Sequence, residues 1–232
     1  MASRPAPNTQ ASLPFAAASE AVESATGAAS GATVGGAETL TELAEQARGC
    51  RLCPWAQDST QTVFGHGPEH AQVMLVGEQP GDQEDLAGLP FVGPAGRLLR
   101  GILAEVPLDP DACYLTNAVK HFKWTPRGKR RIHQKPAATD IGRCRPILAA
   151  ERAFLRPRLI VALGLVGAHG LLGKAVRLGD VRGRRLGIDG CDNLWITSHP
   201  SAILRMPEPG LQEQAQALMV GELRRAVATL AA

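Results

Sequence analysis

Long hydrophobic runs are missing from this chain of 232 residues. No apolar stretch approaches the roughly 20 residues that a bilayer-spanning helix needs, so no membrane segment is expected. A basic segment leading into an apolar one is also missing near the start, which removes the usual sign of export and makes a cytoplasmic protein the expectation. Strong charge of one sign is lacking as well. The 25 Lys and Arg against 22 Asp and Glu leave a net charge of only +3, so the chain as a whole does not advertise a polyanionic partner. Cysteines are few and odd in number, five in all, and two of them form the pair Cys50-x-x-Cys53. Without an export signal, that pair points to metal or redox chemistry before it points to a disulfide. No internal repeat is visible.

What is present suffices for one globular domain. Hydrophobic residues make up 44% of the chain, and one core is the default at this length. Residues 1–36, rich in Ala, Ser, Gly, Thr and Pro, carry too little apolar surface to offset their ordering entropy and are expected to be disordered; the domain is expected over 37–232. Helical periodicity appears over 38–48, with Leu40, Leu43, Ala44 and Ala47 on one face. A continuous apolar strand is expected at 72–76, followed by a Gly/Pro-rich loop to residue 93 and a helix over 94–106. Further strands are expected at 113–118, 159–163 and 194–197, and helices over 137–154, up to 172 and over 211–231. A basic loop spans 120–136, and 182–188 has the pattern of an extra hairpin strand. Strands alternating with helices give an α/β fold, a three-layer α/β/α sandwich around a mainly parallel, four-stranded sheet.

In such folds ligands sit at the carboxyl ends of the strands, and three chemically suggestive segments fall there. Gly77-Glu78-Gln79-Pro80-Gly81-Asp82 makes a tight turn with backbone N–H groups free for a base edge or a phosphate; the same loop carries Phe91. Asn117 closes a strand with a donor and an acceptor side by side. His199-Pro200-Ser201 follows the last strand, where an imidazole can donate to a developing anion. Each has an ordinary structural explanation when taken alone: a turn, a packing ring, a cap, a satisfied histidine. Cys50-x-x-Cys53 by itself fits zinc, a redox dithiol or a cluster, and it lacks the second close pair of a zinc ribbon. From Lys120 to Lys135 there are seven Lys or Arg, no acid, and the two aromatics Phe122 and Trp124. That pattern suits phosphate attraction or a solvated basic loop.

Taken together, the order and spacing of these segments resembles the family-4 branch of the uracil-DNA glycosylase superfamily, over nearly all of residues 38–230. The resemblance implies uracil-containing DNA as the substrate. It implies Phe91 stacked on a flipped uracil, Asn117 on its edge, Gln79 lining the pocket and His199 at the departing base. It also implies a [4Fe–4S] cluster on Cys50, Cys53 and Cys144, with His121 standing where most of the family has a fourth cysteine. Cys113 and Cys191 have no counterpart and are expected to be packing residues. The run Lys129-Arg130-Arg131-Ile132-His133 matches the insertion of the X-type subgroup, whose loop histidine bonds to the deoxyribose. This makes His133 the candidate nucleophile and Glu78 its proton acceptor. Lys129, Arg130, Arg131, Ser201 and Arg205 are expected at the DNA, and Ala202-Ile203-Leu204-Arg205 is expected to form a wedge in the vacated stack. A monomer is expected. Two competing readings are a conventional glycosylase with turnover and a non-enzymatic iron–sulfur DNA-binding module.

Overall fold

The computed structural model describes residues 36–231. The expectation for residues 1–36 therefore lies outside the described residues, apart from Gly36. In chain order the elements are α1 (Leu40–Arg48), α2 (Trp55–Asp58), β1 (Val73–Gly77), α3 (Asp82–Ala87), α4 (Pro94–Ala104) and β2 (Cys113–Asn117). Next come β3 (Trp124–Arg127), β4 (Arg130–His133), α5 (Ala138–Leu155), β5 (Leu159–Leu163) and α6 (Gly164–Leu172). The chain continues with α7 (Leu178–Val181), β6 (Arg185–Ile188), β7 (Cys191–Thr197), α8 (Pro200–Leu204) and α9 (Pro209–Ala228).

The sheet order is β2-β1-β5-β7-β6, with the first four strands parallel and β6 antiparallel at the edge. The parallel strands are buried on both faces, and alternate side chains feed two cores. Met74, Val76, Ile160, Ala162, Leu194 and Ile196 pack with α5 and α6. Val73, Leu75, Leu159, Val161, Leu163 and Trp195 pack with α4 and α9 on the other face. The three-layer sandwich is thus as expected, with a fifth strand supplied by the 182–188 segment. Among the described residues no helix is long and apolar enough to cross a membrane.

Two expected loops contain structure. The 77–93 segment holds α3, and the basic 120–136 segment folds into an antiparallel hairpin in which Trp124 pairs with His133 and Arg127 with Arg130. The basic stretch is also less solvated than its composition suggests. Lys120 is fully buried, its Nζ 2.6 Å from Glu151 Oε2, and Lys123 pairs with Asp140 at 2.9 Å.

Candidate active site

The carboxyl ends of β1, β2 and β7 converge on a cavity of about 470 Å³ lined by Glu78, Gln79, Phe91, Asn117, His133, His199, Ser201, Leu204 and Arg205, among others. Parallel pairing is what brings them together. Gly77 lies opposite Asn117 in the sheet register, and the ladder runs on past the strand ends through Ala118 N–H to Gly77 C=O and Val119 N–H to Glu78 C=O, both 3.0 Å. Gly77 has to be glycine: a Cβ there would stand 2.6 Å from Phe91 Cζ and against Asn117 Oδ1. The ring and the amide meet in the space that this residue leaves.

Phe91 is held in a left-handed conformation, φ 58°, which is costly for a bulky residue and persists only where the surroundings enforce it. Two contacts do so. Gly96, in the first turns of α4, lies against the Phe91 carbonyl so closely that any side chain would collide. The buried Glu84 accepts from Gly81 N–H (3.1 Å) and from Gly93 N–H (2.7 Å), tying together the two ends of the loop. Glu84 was not singled out in the sequence; its signal is the Gly-x-x-Glu spacing of a helix N-terminus, in which the third helical residue reaches back to the cap. The Phe91 ring stacks toward His199, with centroids 6.4 Å apart and planes 25° apart.

The tautomer of His199 follows from its partners. Nδ1 accepts from the Ser201 backbone N–H at 3.1 Å, with Ser201 Oγ at 2.7 Å. An N–H can only donate, so Nδ1 is unprotonated and the ring proton sits on Nε2. Burial, then the nearby charges of Arg205 and His133, push the pKa down to about 4, so a neutral imidazole presents its Nε2–H. Ser201, expected at DNA, is thereby engaged in orienting His199. Asn117 is buried at the end of β2; its backbone carbonyl accepts from Lys120 Nζ (2.9 Å) and its side chain lines the cavity.

Across the cavity, His133 Nε2 lies 3.5 Å from Glu78 Oε1. Burial raises the Glu78 pKa above the usual carboxylate value, although Lys135 and Arg205 oppose it. Burial and then Arg205 lower that of His133, leaving its ring neutral near pH 7. Gln79 lines the cavity but spends its amide on the hairpin: Nε2 donates to the carbonyls of Lys123 (3.2 Å) and Gln134 (3.0 Å), and Oε1 accepts from Lys123 N–H (3.2 Å).

Arg131 departs from the expectation that it faces DNA. Its guanidinium turns inward to Asp82 and to the buried Asp85 and lies over the rings of Phe122 and Trp124. The partners stand 46 and 49 residues upstream, which is why sequence proximity did not expose them. Lys129 and Arg130 are exposed at the hairpin turn, and Arg205 lines the cavity beside Leu204. Of the expected wedge, Ile203 is fully buried in the core, so Leu204, 42% exposed, is the apolar side chain that projects.

Cys50, Cys53, Cys144 and His121 are all buried, and no disulfide links any of the five cysteines. His121 Nδ1 is 3.4 Å from Cys53 Sγ, and its Nε2 is 2.9 Å from Thr62 Oγ1, which orients the ring toward the thiols. The hydrogen bond from Cys144, with His121 alongside, pulls the Cys53 thiol down to about 5. Among the described residues no three His, Cys, Asp or Glu side chains are arranged to hold a single metal ion. A mononuclear site needs every donor within about 2.3 Å of one atom, whereas the donors of a polynuclear cluster each reach a different iron. Three soft thiols and one imidazole, buried together and unoxidised, fit the second kind. Cys113 and Cys191 begin β2 and β7, at the amino ends of strands whose carboxyl ends face the cavity. Burial pushes the Cys113 thiol up to about 12.

Residues 64–223 match the family described as the uracil DNA glycosylase superfamily. The chain is 38% identical to the type-4 uracil-DNA glycosylase of Pyrobaculum aerophilum over 175 residues, 72% of this chain and 86% of that protein. It is 30% identical to the type-4 enzyme of Archaeoglobus fulgidus over 193 residues, 80% and 94% of the two chains. The corresponding protein of Thermotoga maritima is 33% identical over 169 residues, 72% and 84%.

Proposed function

The chain belongs to the uracil DNA glycosylase superfamily, and from that premise we propose that it excises uracil from DNA and is then captured covalently by the sugar it exposes. The observation that carries the second half is the placement of His133 beside Glu78 in the cavity that Asn117, Phe91 and His199 also line.

Excision needs the N-glycosidic bond to break with its electron pair leaving on uracil, while positive charge builds on the sugar, as in glycoside hydrolysis. Phe91 offers a face for the flipped base, and the Asn117 amide matches the N3–H and O4 edge. The Nε2–H of neutral His199 stabilises the negative charge growing on uracil O2. A neutral donor is suited to this task, since the stabilisation comes from a pre-aimed dipole rather than from a proton given away. Leu204 fills the vacated stack, and Lys129 and Arg130 meet phosphates.

In a conventional member of such a family, water would trap the sugar cation. Here a ring nitrogen of His133 forms the bond to C1′ as the bond to uracil breaks, and the proton on the ring's other nitrogen passes to Glu78. Atoms and charge balance without a co-reactant: uracil leaves as the anion, imidazole becomes a neutral N-substituted ring, and Glu78 holds the proton. The pKa directions favour this division of roles, because a lowered pKa keeps His133 nucleophilic and a raised one makes Glu78 a better proton acceptor than an ordinary carboxylate. Lys-Arg-Arg-Ile-His at 129–133 resembles the X-type subgroup, where a loop histidine does this chemistry. A [4Fe–4S] cluster, held by Cys50, Cys53, Cys144 and His121, would supply a covalent cross-link between the loop before α2 and helix α5.

A denaturing gel with a uracil-containing oligonucleotide tests the proposal. The wild type should give an SDS- and heat-stable complex of one protein per DNA, absent with thymine in place of uracil. His133→Ser should lose that band yet still leave alkali-labile abasic sites, since the groups around the base remain. A band that persists in His133→Ser, or a wild type that releases abasic DNA over many turnovers, would refute capture and leave a conventional glycosylase.

A further inference from the structure

An isolated two-stranded hairpin is marginal in water, yet β3–β4 must hold His133 to within a fraction of an ångström of a reacting carbon. Arg131 and Gln79 anchor it from the side of α3 and β1. A third anchorage comes from the side of the thiols. Lys123, the residue before β3, donates from Nζ to Asp140 Oδ2 (2.9 Å) and lies 4.7 Å from the centre of the Trp55 ring. The Trp55 indole N–H donates to the other oxygen of Asp140 at 3.1 Å. Trp124 donates its indole N–H to the Asp58 carbonyl at 2.9 Å, and Trp124 is the strand position directly across from His133.

The elements on the far side of these contacts carry the cysteines. Trp55 and Asp58 bound α2, which begins two residues after Cys53; Asp140 precedes Cys144 by four residues, on the same face of α5. Lys123 and Asp140 are largely buried, with side chains 17% and 6% exposed, so their pairing is little screened.

We propose that Lys123, Trp55 and Asp140 are positioning residues: a brace that fixes His133 from the thiol side and thereby decides whether the exposed sugar is captured by imidazole or by water. This rests on the capture reading above. A displacement of about 1 Å in a reacting group can cost on the order of 100-fold in rate. By contrast, Asn117 ends β2, His199 caps α8 and Phe91 is fixed by Glu84 and Gly96, and the brace side chains bond to none of them. Lys123 meets Gln79 only through its backbone, which the side-chain variants keep. Loosening it therefore changes the partition between products and not the excision.

Two variants and two readouts test this. Lys123→Met keeps the aliphatic stem but removes the ammonium; Trp55→Phe keeps the ring but removes the donor. The first readout is the ratio of covalent complex to free abasic product on uracil-DNA. The second is trypsin nicking at Arg127, Lys129 and Arg130, which requires the hairpin to open locally and involves no DNA. Each variant should nick about tenfold faster and drop the ratio about tenfold, with excision within twofold of the wild type and its visible absorbance retained. Lys123→Arg should restore both readouts. Nicking unchanged in both variants would overturn the brace, as would faster nicking with an unchanged ratio, or loss of the visible absorbance in both. If the wild type captures no DNA at all, the His133 reading fails and the partition with it, while nicking still decides whether the brace holds the hairpin.

Discussion

Replacing Lys120 by Met tests whether the buried ion pair behind the cavity is integral to the fold. Lys120 and Glu151 are both fully buried and 2.6 Å apart. Glu151 also accepts from Gly65 N–H (3.0 Å), Tyr114 Oη (3.1 Å) and Thr116 Oγ1 (3.0 Å). Met removes the cation and leaves a carboxylate in the core with neutral donors alone. Breaking a buried pair from one side costs about 3–5 kcal/mol, and the remaining donors place this case at the lower end, near 3 kcal/mol. For a chain of this size each kcal/mol shifts Tm by roughly 2–4 °C, so a fall of about 6–12 °C is expected in far-UV circular dichroism melts at matched iron content. Adding Glu151→Gln keeps an acceptor for Gly65 and Tyr114 but removes the charge, and the double variant should regain at least half of the loss. A Lys120→Met protein that melts within about 2 °C of the wild type, or a double variant no better than the single, would show that the pair is not what stabilises this region.

Capture needs Glu78 ionised and His133 neutral. The first pKa is raised above the ordinary carboxylate value and the second lowered below the ordinary histidine value. Both groups gain protons as pH falls, so covalent complex formation should be level near neutrality and fall on the acid side, between the ordinary histidine and carboxylate values. Excision by His133→Ser should lack that limb down to about pH 5.5, since burial and Arg205 still hold His199 well below the ordinary histidine value when His133 is gone. A flat capture profile down to pH 4.5 would contradict the assignment. At the thiol site, Cys144→Ser should lose iron and visible absorbance, whereas Cys113→Ser and Cys191→Ser should keep both. Iron analysis of the three variants decides it.

The parallel strands were legible because burial on both faces leaves uninterrupted apolar runs such as Val73-Met74-Leu75-Val76. Part of the cavity was legible because Glu78, Asn117 and His199 stand at or just past the ends of those runs; Phe91 and His133 do not, and were joined to them only through the family resemblance. What could not be read was pairing across long stretches of chain. Arg131 and Lys120 belong to a stretch with no acid in it, so composition suggested solvent or phosphate; their carboxylates lie in α3 and α5, and only the fold brings them near. The hairpin was missed for a related reason. Its strands lack apolar alternation, and it is held by side-chain anchors (Gln79, Arg131, Lys123) rather than by a buried face. Gln79 lines the cavity as expected, but its amide also grips the hairpin backbone, a use that no spacing rule encodes. Ile203 and Leu204 are equally apolar, and only the packing of α8 decides which one projects.

Asp140, Cys144 and Glu151 hang from one face of α5, separated by four and seven residues. One belongs to the brace, one to the thiol site and one to the buried ion pair, yet the register of a single helix keeps all three in place. Each residue of a helix turns it by about 100°. A one-residue insertion between Cys144 and Glu151 would therefore swing the acid out of the core without altering a single contacting side chain, and one between Asp140 and Cys144 would part the hairpin from the thiols. Point changes on the outer face of this helix can be absorbed locally; changes in its length cannot. During divergence α5 should accumulate substitutions freely on its outer face while its residue count between 140 and 151 stays constant, and length variation should gather in the exposed turns such as 173–177.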